Sequence, residues 1–115
     1  MSNINIQIFG IDKCFDTKKA QRYFKERNIR FQFIDLNIKG LSKKELESVA
    51  SAVAFNDLFD KKSKSYERLN LHKISGRSTR EEILLNNPEL YQTPIVRNGK
   101  QATVGYKPEI WETWE

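Results

Sequence analysis

Ile4, Ile6 and Ile8 alternate with Asn3, Asn5 and Gln7 and run into Phe9, the period-two pattern of a β-strand that stops at Gly10. The loop Gly10-Ile11-Asp12-Lys13 then delivers Cys14. From Cys14 to Asn28 the apolar or small positions Phe15, Ala20, Tyr23 and Phe24 alternate with a Lys/Arg/Gln face, which predicts an amphipathic helix closed by Asn28. Cys14 is thereby placed just ahead of, or at, a helix N-terminus. Phe31, Phe33, Ile34 and Leu36 form a short, aromatic-rich run that predicts a second strand. Strand, helix and strand within about 36 residues match the size of a βαβ unit, whose right-handed crossover favours a parallel pair.

The chain changes character at Lys39-Gly40. Ser42 stands three residues before Glu45, a spacing that lets each side chain satisfy the other's backbone amide, and Leu46, Val49, Ala50 and Val53 follow at helical intervals. Phe55, Leu58 and Phe59 continue an apolar cluster, and Ser65-Tyr66-Glu67-Arg68-Leu69 predicts a short helix. Ser78-Thr79-Arg80-Glu81-Glu82 repeats the cap signal, with acidic residues expected in the first turn, before the buried face Ile83-Leu84-Leu85 and the stop at Asn86-Asn87-Pro88. Strands return with Ile95-Val96 and Ala102-Thr103-Val104, which flank Asn98-Gly99, the strongest two-residue hairpin signal. Lys107-Pro108-Glu109 sets a proline in the first turn of a final helix carrying Ile110, Trp111 and Trp114 at core spacing.

With 115 residues, the chain is read as one domain over 1–115, with no repeat, linker or low-complexity tract between the elements. A hydrophobic fraction of 38% and a charged fraction of 30% exclude a disordered or membrane-embedded chain and leave a soluble globular one. The N-terminus lacks the pattern of a signal peptide and no apolar run approaches a membrane span, so the cytoplasm is the expected location. The net charge of +5 is unevenly spread: residues 61 to 80 hold Lys61, Lys62, Lys64, Arg68, Lys73, Arg77 and Arg80 against Glu67 alone. Such a run suits an anion or an acidic protein partner, or serves as a solvated face. With Tyr66 the one aromatic in it and no reader motif beside it, direct nucleic-acid binding is not expected.

Cys14 is the first chemical candidate. A thiol at a helix N-terminus meets the positive end of the backbone dipole, and Lys13 and Lys18 add positive charge, so the thiolate is favoured. The bland alternative is a small buried hydrophobe. As the single cysteine it forms no intrachain disulfide, so a redox cycle needs an outside thiol, and with the lone His72 there is no ordinary zinc site; no metal is expected. Thr93-Pro94 is the second candidate, since a proline ahead of a short strand withholds a ladder donor; trans is the ordinary expectation for its peptide bond.

Ile6-Gln7-Ile8-Phe9-Gly10-Ile11-Asp12-Lys13-Cys14, Asp16-Thr17-Lys18-Lys19-Ala20, and far downstream Thr93-Pro94-Ile95-Val96, Asn98-Gly99-Lys100 and Val104-Gly105-Tyr106 together resemble the ArsC-like arsenate reductase family with its Spx-like and YffB-like relatives. Leu58-Phe59-Asp60 before Tyr66-Glu67-Arg68-Leu69 extends the resemblance over nearly the whole chain. It implies an α/β fold with a thioredoxin-like core, βαβ then ββα in a mixed four-stranded sheet, and a helical insertion between the halves at about 41–90. It also implies that Thr93-Pro94 is cis and faces Cys14.

In the reductases that this chain resembles, the cysteine attacks an oxyanion, three arginines neutralise the adduct and glutathione resolves it. Here the cysteine survives as Cys14, whereas Thr93 and Tyr106 stand where two of the arginines do and the third falls at or beside Asp60, so arsenate itself is not the expected substrate. Arg97, Arg77 and Lys61 are the cations available to substitute. The Spx-like Cys-x-x-Cys switch becomes Cys14-Phe15-Asp16-Thr17, in which the Thr17 hydroxyl is positioned to donate to the thiolate. The resemblance thus implies a monothiol reductase coupled to glutathione or thioredoxin, holding no bound cofactor and acting on a small thiol or a thiol-containing protein. Cys14 and Thr17 are its expected catalytic residues, and Lys13, Thr93, Pro94 and Arg97 its expected substrate-binding ones. The alternative implication is a non-catalytic Spx-like regulator that binds RNA polymerase or another acidic partner through the 61–80 segment.

Overall fold

The computed structural model describes residues 5–114, so Asn3 and Ile4 of the predicted first strand lie outside the described residues. Strand β1 (Ile6–Gly10) leads through a tight turn into helix α1 (Phe15–Glu26), and the chain returns in β2 (Phe31–Asp35). β1 and β2 pair in parallel, Ile6 opposite Phe31 and Gly10 opposite Asp35, as the βαβ spacing predicts. Asn28 closes α1 in the left-handed region at φ 57°, which its short polar side chain tolerates.

The insertion carries α2 (Lys43–Ala52), α3 (Lys64–Arg68) and α4 (Arg77–Asn86), joined by single 3₁₀ turns. The Ser42–Glu45 capping box forms in full: Glu45 N–H donates to Ser42 Oγ over 3.2 Å, and Ser42 N–H to Glu45 Oε1 over 2.8 Å. The cap expected at Ser78 does not form. Helix α4 begins at Arg77 on Gly76, which has no side chain to cap with, so Ser78 lies inside the first turn and no acidic residue does. Glu81 instead pairs one turn back with Arg77 over 3.4 Å.

β3 (Ile95–Asn98) joins β1 antiparallel, and β4 (Gln101–Val104) joins β3, giving one mixed sheet of order β2-β1-β3-β4. The turn sits one residue later than predicted: Asn98 is still in the strand and Gly99-Lys100 are central. Gly99 alone has positive φ, at 60°, the pattern of a type II′ rather than a type I′ turn. The Asn98 side chain is used otherwise, accepting from Asn5 N–H over 3.0 Å and donating to Gln101 Oε1 over 3.2 Å. Helix α5 (Pro108–Trp111) begins on Pro108, as its sequence predicts.

The sheet separates two cores. On one face Ile6, Ile8 and Val96 pack with Ala20, Tyr23 and Phe24 of α1 and with Trp111 and Trp114. On the other, Phe9 and Ile95 meet the insertion through Leu46, Val49, Leu58 and Leu84. Trp111 is the hinge of the first core. Its ring lies edge-on to Tyr23 and Tyr106 and tilted on Phe24, and its Nε1–H donates to the buried Thr103 hydroxyl over 2.7 Å.

The basic segment is not one cationic face. Arg77 and Arg80 stand over the rings of Phe55 and Phe59 at 4.7 and 4.5 Å, Arg80 also donates to Tyr66 Oη, and Arg68 pairs with Glu89 at 3.8 Å. Lys61, Lys62, Lys64 and Lys73 are exposed, as are Arg68 and Arg77, while Arg80 is half-buried.

Candidate functional site

Cys14 is the N-cap of α1, with φ −80° and ψ 120°. Its own N–H donates back to Ile11 O over 3.0 Å, and its carbonyl accepts from Lys18 N–H at 3.2 Å, so the backbone on both sides of the thiol is held. Its side chain caps no amide in the neutral form; the S–H instead donates across the sheet end to Thr93 O at 3.6 Å. Thr93-Pro94 is cis. The next residue along, Ile95, pairs with Phe9 in the last register before Gly10, and Pro94 O accepts from Gly105 N–H at 2.8 Å. Two segments 79 residues apart in sequence therefore meet at the carboxyl end of β1.

The electrostatics favour the thiolate. Burial is the largest single influence and raises the thiol pKa. Against it act the side-chain hydroxyls of Thr17 and Thr93 and the backbone N–H groups of Thr17 and Asp16, which together bring the pKa below its ordinary value. These are the donors a helix start offers to an anion. Thr17 Oγ1 is fully buried and has no hydrogen-bond partner among the described residues. The ionised Cys14 sulfur is the acceptor that its hydroxyl can serve, which is one of the influences that lower the thiol pKa.

Thr17 is positioned by Gly10. A Cβ added at Gly10 would stand 2.5 Å from Thr17 Oγ1 and 2.6 Å from Thr17 Cγ2, so the strand end and the helix touch through a missing side chain. Gly10→Ala is expected to destabilise the fold by about 1–3 kcal/mol, because a stiff β-branched side chain must move. Urea unfolding measures that cost, and Cys14 alkylation should slow in parallel as Thr17 is displaced. Thr17→Val keeps the shape and removes only the donor. Hydrogen bonds to charged groups are worth about 1.5–3 kcal/mol, so its alkylation rate at pH 7 should fall roughly tenfold or more while its urea midpoint holds or rises.

Of the other predicted residues, Lys13 lies exposed in the turn before Cys14. Arg97 does not join the site. It sits opposite Gln7, three residues before the end of β1, and donates to Gln7 Oε1 over 2.7 Å. The antiparallel register explains this, since only the first residues of β3 lie at the sheet end where Cys14 stands. Phe15, the first residue of α1 and an apolar position of its pattern, is 79% exposed rather than buried, and Tyr106, which stands where the resemblance has an arginine, carries the Lys19 ammonium 5.4 Å above its ring. Exposure of an aromatic at a helix start leaves no trace in sequence periodicity. Among the described residues no cluster of His, Cys, Asp and Glu has a metal-binding arrangement.

The family model of the ArsC family matches residues 9–114. Among solved structures, the chain is similar to a putative ArsC family related protein from Bacteroides fragilis, with a TM-score of 0.86 and 21% identity, covering 96% of this chain and 98% of that one. It is equally similar to an arsenate reductase from Vibrio cholerae, with a TM-score of 0.85 and 21% identity over 97% and 98% of the two chains. At these identities the likeness establishes the thioredoxin-like fold. Among curated proteins it is similar to the global transcriptional regulator Spx of Streptococcus pyogenes, 24% identical over 110 residues, 90% of this chain and 80% of that protein. The match across both halves of the sheet and the insertion between them shows that this chain belongs to the ArsC family.

Proposed function

We propose that the protein is a monothiol oxidoreductase in which Cys14 forms a mixed disulfide with its substrate. The observation that carries this reading is the position of the Cys14 sulfur at the start of α1, beside the Thr93 carbonyl, with helix amides and the Thr17 hydroxyl as donors to its anion. The Cys14 thiolate attacks one sulfur of a disulfide, forms Cys14–S–S–R and releases the other sulfur as a thiolate that takes a proton from water. An external thiol, glutathione or a thioredoxin dithiol, then attacks the mixed disulfide, restores Cys14 and carries the oxidised sulfur away. The helix-start donors stabilise the thiolate both as nucleophile and as leaving group. Thr93, with its backbone at the sheet end, lies where a bound cysteinyl peptide would pass. A reducing cytoplasm would supply the resolving thiol.

Mass spectrometry after brief exposure to glutathione disulfide tests the reading: Cys14 should gain one glutathione within minutes and lose it when reduced glutathione is added. Absence of the adduct would refute it. Exposed Lys61, Lys62 and Lys64 favour a second reading, a regulatory role through an acidic protein such as RNA polymerase. Charge reversal of these three lysines should then release RNA polymerase from the protein in a pull-down, with Cys14 chemistry unchanged.

A further inference from the structure

β4 is the outer strand of the sheet on the side away from β2. The parity of its hydrogen bonds can be read from the hairpin: Asn98 and Gln101 close a two-residue turn and face each other as a bonded pair, and Gly105 N–H donating to Pro94 O keeps the same alternation. Thr103 is therefore bonded inward to Val96, and the N–H and C=O groups of Ala102 and Val104 point away from the sheet. Natural edges are blunted by short length, charges, prolines or bulges; Gln101-Ala102-Thr103-Val104 is short, at 4 residues, but carries no charge, proline or bulge. A groove of about 490 Å³ runs along this edge. Ala52, Val53, Ala54 and Asp57 form one wall after α2, Lys107 and Ile110 form the other, and Ala102, Thr103 and Val104 are its floor.

From this geometry we infer that the β4 edge is a peptide-binding groove, which takes an extended segment of another protein as a fifth strand. The recess selects the occupant. A second copy of the chain presents its own edge equally recessed between walls and cannot reach this one, whereas a single extended strand can. Such a strand bonds to the outward groups of Ala102 and Val104, two residues apart, and its alternate side chains face Val53 and Ala54 on one side and Ile110, which is 40% exposed, on the other. Lys107 and Asp57 form no ion pair among the described residues. An antiparallel strand brings its N-terminal end to Lys107, so the matching segment begins with an acidic residue and continues with small or β-branched ones. This surface stands apart from the Cys14 chemistry and does not depend on it.

The test is solution NMR of the whole chain with the acetylated, amidated peptide Glu-Val-Thr-Val-Thr as probe. In the free protein the amides of Ala102 and Val104 should exchange with solvent much faster than that of Thr103. Millimolar peptide should shift and protect those two amides, in wild type and in Cys14→Ser alike. Val104→Pro removes an outward donor together with a side chain that packs on the insertion core, and should weaken binding roughly tenfold with some loss of stability; Lys107→Glu should weaken it several-fold. The same peptide N-methylated at both its central threonine and the valine after it, so that one blocked N–H faces β4 in either register, should not bind, a control that leaves the fold of the protein untouched. Protection of Ala102 and Val104 before any peptide is added would overturn the inference. So would amides unmoved at millimolar peptide, or equal binding of the methylated peptide.

Discussion

Cys14→Ser should abolish mixed-disulfide formation and turnover while leaving the protein at least as stable as the wild type. The loss is complete because a hydroxyl at neutral pH supplies neither the anion nor the polarisable sulfur that the exchange requires, and no second cysteine stands in reserve. Stability changes in the opposite sense. Cys14 is an N-cap whose neutral side chain caps nothing, whereas serine accepts readily from the amides of the second and third helical residues, Asp16 and Thr17. A serine there should stabilise α1 by about 0.5–1 kcal/mol at pH values where the wild-type thiol is protonated. Because the folded-state thiol pKa is depressed, the thiolate's contribution to stability is present above the unfolded-state pKa and lost as pH falls through the folded one. The advantage of serine should therefore shrink as pH rises through that interval. Urea unfolding of both proteins across that range checks the stability claim, and residual turnover in Cys14→Ser would contradict the catalytic one.

Trp111→Ala should be the most damaging change to the fold. The ring is fully buried between Tyr23, Phe24 and Tyr106, and its indole N–H satisfies the buried Thr103 hydroxyl. Truncation of such a side chain costs about 3–5 kcal/mol before the orphaned hydroxyl is counted, against a total of about 5–15 kcal/mol for a domain. The variant should be partly unfolded at 25 °C or have a sharply lowered urea midpoint. Trp111→Phe keeps most of the packing and loses the hydrogen bond, so it should fall between the two. Fluorescence of Trp114 provides the signal in both. An unchanged midpoint in Trp111→Ala would show that the α1–α5 core is not what holds the sheet.

The features legible in the sequence are those governed by neighbours a few residues away. Alternation in Ile6–Phe9, the 3.6-residue spacing across α1, the Ser42–Glu45 box and Pro108 at a helix start are all local, and each appears in the structure where its pattern predicts. The structure departs from the sequence pattern where a residue has a better partner elsewhere. Asn98 spends its side chain on Asn5 and Gln101, which moves the hairpin turn on to Gly99-Lys100. Ser78 lost its cap to Gly76 because Arg77 is already held in helix by Glu81 and Phe55. Arg77 and Arg80, counted as part of a cationic run, are taken up by aromatic rings that only tertiary packing brings near. At the site, Cys14 and its helix start were readable from local pattern. That Thr93 faces it was reached through the family resemblance, and that Gly10 is emptied to admit Thr17 could be seen only once strand and helix were packed together.

The helix-start donors, with Thr17 among them, bring the Cys14 thiol pKa below its ordinary value. The most direct test of this role is the rate of Cys14 alkylation by iodoacetamide as a function of pH, in the wild type and in Thr17→Val. The wild-type midpoint should lie below that of a free thiol, about 8.5, and that of Thr17→Val should lie higher. A wild-type midpoint at or above that value, or one unmoved by the loss of the Thr17 hydroxyl, would contradict the role given to these donors.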